Sequence, residues 1–395
     1  MLSCYGIETN SPPSPRIGHS LHYLKKSKEI VLFGGASIEE GTSNDIYIYN
    51  LSKNKWTKQK IVYKESNGKL SKIPEPRYEH TGIIIENKDG EEELFIFGGT
   101  TGVKLLNDSF IYNFKKNIWR EVKTTGDIPS PRSINSGVYV NNEFLKNSVV
   151  IFGGSQYNTQ AINDPSTYIL NMDTFKWKKI NATLSPSIRL GHTMTYNPIS
   201  SEIYLFGGLN NTEVYNDLWK FNCCSLSWEK ITDDEKNSPK GRSGHTAIMY
   251  SNNLYIFGGM QSNPPHVFED INVYSILEKK WKIVDPVLCT SEPYKPRLGL
   301  ASCLVGSPKS KNDTKLLMPS NEGESSTSDS NNETKEEKDK EKSKNKQTQS
   351  IQEIHFNDED AYLHEISKND QINTIALFGG ADFYGIYNDL FLMKI

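Results

Sequence analysis

Nothing in this 395-residue chain approaches the roughly twenty consecutive apolar residues of a membrane-spanning helix, and its first fifteen residues lack the basic start and apolar core of a secretory leader. Membrane insertion and export are therefore not expected, and a cytoplasmic location is. Cysteine is scarce: Cys4, Cys223, Cys224, Cys289 and Cys303 are odd in number and lack the paired doublets of a zinc site. They are expected as reduced thiols, not as a disulfide framework. Positive charge is not in excess either, with 45 Lys and Arg against 48 Asp and Glu and a net charge of −3. A chain so balanced has no broad attraction for phosphate backbones or anionic lipid, so nucleic acid is not an expected partner.

Present instead is a repeat. A Gly-Gly pair follows a short apolar strand six times, at Gly34-Gly35, Gly98-Gly99, Gly153-Gly154, Gly207-Gly208, Gly258-Gly259 and Gly379-Gly380, with separations of 64, 55, 54, 51 and 121 residues. Phe precedes every pair. Eight to ten residues later comes a doublet ending in Asp (Asp45, Asp108, Asp164, Asp217, Asp270, Asp389), and in five units a Trp follows at Trp56, Trp119, Trp177, Trp228 and Trp281. Upstream of each pair stands an arginine: Arg16, Arg77, Arg132, Arg189, Arg242 and Arg297. The apolar run before each diglycine suits a strand buried on both faces, and the alternation in Ile46-Tyr47-Ile48-Tyr49 suits a half-buried one. Each unit therefore reads as a four-stranded antiparallel sheet. Glycine tolerates positive φ and close backbone approach, and Trp offers a large apolar surface, so both are expected to be structural.

This ordered set of Arg, Gly-Gly, Asp and Trp resembles the kelch repeat over residues 1–305 and 373–395. The resemblance implies an all-β fold, a six-bladed propeller, with blades at about 16–62, 77–124, 132–181, 189–233, 242–286 and 297–395. The His three residues after Arg occurs as His19, His80, His192 and His245 but is Asn135 and Leu300 in the other units, so metal ligation by these histidines is not expected. The sixth unit ends after its third strand. An open edge there would be a liability, and residues 1–8 are expected to supply the fourth strand against Asp389–Ile395, with Tyr5 at the tryptophan position.

The 121-residue gap marks an insertion over about 306–372. Its centre, 321–349, has no aromatic residue and is expected to be disordered, a solvated spacer of alternating charge. The stretch 351–366 carries Ile354, Phe356, Tyr362 and Leu363, enough to dock on the ring or form a short helix. Strand alternation puts the insertion on the face opposite the arginine-bearing loops.

No enzyme is expected. Metal-dependent kelch enzymes are the alternative from another class, but the Glu-Asp-His spacing of the plant specifier type is interrupted here at Glu213, Asp217, Phe221 and at Glu229, Asp233, Asn237. A Ser-His-Asp set on separate loops stays open at this stage. No cofactor is expected. The expected role is a monomeric protein-interaction scaffold that binds a protein or peptide. The binding face carries the blade-start arginines and the loop tips Lys104, Tyr157, Asn210, His266, Phe383 and Tyr384. Kelch substrate receptors of ubiquitin ligases imply that such arginines meet acidic or C-terminal carboxylates, and the kelch-only Rab effector implies vesicle transport. The competing role for the repeated Arg is to tie adjacent blades through backbone carbonyls.

Overall fold

The computed structural model describes residues 2–63, 65–66, 69–156, 160–211, 213–232, 234–288, 294–306, 359–369 and 373–395. Six antiparallel sheets follow one another along the chain, each centred on a strand that runs into a diglycine. In blade two the order is Thr81–Glu86, Glu92–Phe97, Ser109–Asn113 and Ile118–Glu121, each strand paired with the next. The second strand is enclosed along most of its length in each blade, though in blade five the third strand, Ile271–Ser275, is more buried still. Every residue of Ser148–Phe152 in blade three is enclosed, as the unbroken apolar run predicts. First strands of successive blades face one another round a closed ring, so the molecule is a six-bladed propeller.

Large aromatic contacts join the blades. Each Trp packs on the Phe that precedes the diglycine of the blade before it: Trp119 on Phe33 at 5.1 Å, Trp177 on Phe97 at 5.2 Å, Trp228 on Phe152 at 5.5 Å and Trp281 on Phe206 at 5.2 Å. Trp56 does the same to Phe378 of the last blade at 5.1 Å, which carries the packing across the seam.

The N-terminal strand closes the ring as expected. Ser3–Ile7 runs antiparallel to Leu390–Lys394 and completes blade six. Its register differs by one residue from the expected one. In the other blades Trp pairs with the fourth residue of the third strand, such as Trp119 with Tyr112 and Trp56 with Tyr49. In blade six that partner is Met393, and it faces Cys4. Cys4 therefore fills the tryptophan position, in a cluster with Phe257 of blade five. Tyr5 points to the other side, because a one-residue step along a strand reverses the face.

That face meets the helix α1 (Glu359–Lys368). Tyr362, Leu363 and Ile366 are buried in the cluster that joins blades six and one. Tyr362 stacks on Tyr5 at 4.1 Å, and its hydroxyl lies 2.8 Å from that of Thr374. The helix thus covers the seam. The rest of the expected disordered insertion, residues 307–358 and 370–372, lies outside the described residues.

Candidate functional site

The chemistry of the repeated face begins at the diglycine. A Cβ on the first glycine would meet the arginine carbonyl of the next blade, at 2.8 Å for Gly34, Gly98 and Gly207 and 2.9 Å for Gly379, and closer still for Gly153 and Gly258. A Cβ on the second would strike the residue three after the blade's own Arg, His19 at 2.9 Å from Gly35 for example. The N–H of the second glycine donates to that same neighbouring arginine carbonyl in all six blades, from Gly35 to Arg77 at 2.9 Å round to Gly380 to Arg16 at 3.1 Å. Only glycine fits both constraints.

The six arginine side chains lie inside this arrangement, between 0 and 1% exposed. Each Nη1 donates to the carbonyl of the first glycine of its own blade, at 2.8 Å for Gly34 and 3.0 Å for Gly98, Gly207 and Gly379. Arg77, Arg189, Arg242 and Arg297 also grip the doublet Asp of their blade in a fork, to Asp108, Asp217, Asp270 and Asp389. Arg16 and Arg132 have no such fork. They bond the hydroxyls of Ser14 and Ser130 and lie against the rings of Tyr47 and Tyr168, while Asp45 and Asp164 turn to Lys58 and Lys179. The guanidinium bonds therefore run within a blade. Adjacent blades are tied by the arginine's backbone carbonyl, not by its charge.

The next residues reach the axis. The residue two after each Arg has positive φ, from 52° to 65°. Their backbones form a collar: Glu79 N–H donates to Gly18, Ile134 to Glu79, Gly191 to Ile134, Gly244 to Gly191 and Gly299 to Gly244, at 2.7 to 3.2 Å. Glycine fills this position in four blades, but blades two and three place Glu79 (φ 54°) and Ile134 (φ 52°) there. A side chain held so costs about 1–3 kcal/mol, and a β-branched one is a clear outlier. The collar encloses a cavity of about 580 Å³ lined by Ile17, Ile134, Leu190 and Leu298, among others, with Glu79 as its only charged side chain among the described residues. Burial raises the Glu79 carboxyl to about 7, partly offset by its bond to the Ser133 hydroxyl. The histidines beside it are neutral. Burial, helped by the adjacent arginines, pushes His19, His192 and His245 down to about 3.

The loops after the diglycines stand on the same face. In every blade the segment after the Arg bridges to the segment after the diglycine, Ile17 to Ala36 and Leu298 to Ala381 for instance. Among the expected tips, Phe383 and Tyr384 are exposed, 61% and 95%. Lys104 is exposed and paired with Glu75 at 2.8 Å. His266 is exposed beside Phe268, and Asn210 is half-buried at a cleft between the loops of blades four and five. Tyr157 lies outside the described residues. Sequence reasoning missed Ile38 and Val103, 82% and 93% exposed at the tips of blades one and two. With Phe383 and Tyr384 they put large apolar groups on three successive blades, six, one and two. It also missed Glu79 and Ile134, although their departure from glycine at a fixed offset from Arg was a signal in plain view.

A rigid ring with its irregular loops gathered round one channel mouth has the form of a protein-interaction propeller. The family model described as the KLHDC2/KLHL20/DRC7 Kelch-repeats domain matches residues 6–145 and 143–310, and the chain belongs to the kelch-repeat family. It is similar to tip elongation aberrant protein 1 of Schizosaccharomyces pombe, 32% identical over 50% of this chain and 17% of that one. It is also similar to host cell factor homolog hcf-1 of Caenorhabditis elegans, 28% identical over 71% of this chain and 35% of that one. The Rab9 effector protein with kelch motifs of Xenopus laevis is 25% identical over 52% of this chain and 53% of that one. The chain thus spans from about a sixth to about half the length of these relatives. Among the described residues no helix is long and apolar enough to cross a membrane.

Proposed function

We propose that this protein is a non-enzymatic, monomeric scaffold of the cytoplasm that binds a protein or peptide on the loop face. The observation that carries this is the run of exposed apolar tips, Phe383 and Tyr384, Ile38 and Val103, on the adjacent blades six, one and two. Aromatic and aliphatic side chains held out by a rigid frame are suited to anchor a partner. Recognition of an acidic or C-terminal carboxylate would fall to Lys104 at the rim, since all six arginines are buried with Nη1 bonded to the first-glycine carbonyl of their own blade. The similarity to the Rab9 effector supports vesicle transport as the narrower role.

The test is affinity purification with mass spectrometry, comparing the wild type with a combined Ile38→Ala, Val103→Ala, Tyr384→Ala variant. Such surface changes should each alter stability by no more than about 0.5 kcal/mol. The expected result is loss of specific partners from a variant that still melts like the wild type. Partners retained in full by the folded variant would place binding elsewhere. Elemental analysis of the purified protein separates the scaffold from a metal-dependent enzyme, because a stoichiometric transition metal would favour the enzyme.

A further inference from the structure

The collar position is filled by glycine in four blades at φ of 64° to 65°, and blades two and three hold larger residues there in the same conformation. Glycine at 79 and 134 would satisfy the ring, because the backbone bonds of the collar use only N–H and C=O groups. Neither the glutamate nor the isoleucine is therefore required by the frame. Both side chains line the axial cavity. Strain kept where the fold does not need it points to function.

The cavity tells what would enter. Its walls are mainly apolar or glycine backbone, with Ile17, Ile134, Leu190 and Leu298 among them, and its four histidines are held neutral by burial. Among the described residues no lysine or arginine lines it, and none lies in ion-pairing distance of Glu79. A carboxylate in the wall of a largely apolar well is the complement of a cation carried on an aliphatic stem.

We propose that the channel mouth is a subsite for a basic side chain, a lysine ammonium or an arginine guanidinium, which a bound protein or peptide inserts along the axis to meet the Glu79 carboxylate, with Ile134 packing on its stem. The inference rests on the scaffold function proposed above and names the chemistry its partner brings to the centre of the face. The partner's cation replaces the water that burial removes from Glu79, so the carboxyl ionises as the complex forms.

The test uses the full chain and acetylated, amidated peptides in which a central residue between leucines is lysine, arginine, norleucine or glutamate. The wild type should retain the lysine or arginine peptide over the norleucine peptide by at least about tenfold, the scale of a charge-assisted bond. Glu79→Gln should abolish that preference and leave norleucine binding unchanged. A wild type that shows no preference for the basic peptides, or a preference that survives Glu79→Gln, overturns the inference. Spermidine as competitor distinguishes a free polyamine: if it binds through Glu79 as tightly as the peptides do, the peptide source is wrong. Glu79→Gly provides the control for folding, and its melting temperature should hold or rise as strain is relieved. A clear fall would make Glu79 a structural residue and overturn the inference. The tip variant does not touch Glu79, so its partner profile reports on the scaffold function separately.

Discussion

Burial strips water from His19, His192 and His245, and each is far easier to protonate in the unfolded chain, where its pKa returns to about 6.5, than in the native blade, where it is about 3. The unfolded state therefore binds more protons throughout that window. Stability is fully present above pH 6.5 and falls as the pH drops towards 3, by about 1 kcal/mol per histidine per pH unit. The melting temperature should decline steadily from pH 7 to pH 5. His192→Leu, which copies the residue at Leu300, should make that decline shallower. The arginine forks make a second contrast. Asp217→Ala leaves the fully buried Arg189 without its carboxylate and should cost about 3 kcal/mol. Asp45→Ala removes a half-exposed pair with Lys58 and no fork to an arginine, and should cost about 1 kcal/mol or less. Urea titrations of the two variants would check the difference, and equal losses would refute the assignment of Asp45 to Lys58.

Strand ends and strand edges set the next level of order. Gly153→Ala drives a methyl into the Arg189 carbonyl at a φ of 64° and should destabilise by more than about 3 kcal/mol. Gly41→Ala has a comparable φ of 71° with nothing within 4 Å, so only the backbone strain of about 1–2 kcal/mol should appear. Helix α1 is an added element whose single anchored face bears on the seam. Tyr362→Ala removes the stack on Tyr5 and should cost about 3–5 kcal/mol. An unchanged melting temperature would mean that the helix does not dock. Connecting segments also shield the outer edges. Thr125–Gly126 lies parallel to the last strand of blade three, and Val287–Leu288 lies beside Ser3–Ile7, which blunts edges that would otherwise invite another chain.

The ring stands or falls on its closure. Blade six takes three strands from the end of the chain and one from its beginning, so the two ends are joined by backbone pairing, by Cys4 against Met393, by the Asn388 amide donating to the Pro13 carbonyl, and by the aromatic cluster at the seam. Deleting residues 1–8 should lower the melting temperature sharply and expose the edge of Leu390–Lys394. A truncated protein that melts as the wild type does would show that the ring is held without this strand. Closure also brings the tips of blades six and one together, and so creates the apolar arc that the proposed partner uses.

The diglycine spacing, the Phe before each pair and the later Trp made six blades legible from residues alone, because a strand that must pass within contact of its neighbour's carbonyl tolerates nothing larger than glycine, and that demand recurs with the period of the fold. The doublet Asp and the blade-start Arg were equally visible, but not that four of the six pair. A fork depends on side-chain directions that Tyr47 and Tyr168 alter in blades one and three. The one-residue error at Tyr5 has a similar cause. The linker from Trp to the next Arg varies, with Trp119 and Arg132 thirteen residues apart and Trp56 and Arg77 twenty-one, so counting back from Arg16 cannot set a register that cross-strand bonds decide. Sequence order likewise separates Ile38 from Tyr384 by most of the chain, and only ring closure sets their blades, one and six, side by side. Local spacing specified the frame; the face that meets a partner arose from the way the ends of that frame come together in space.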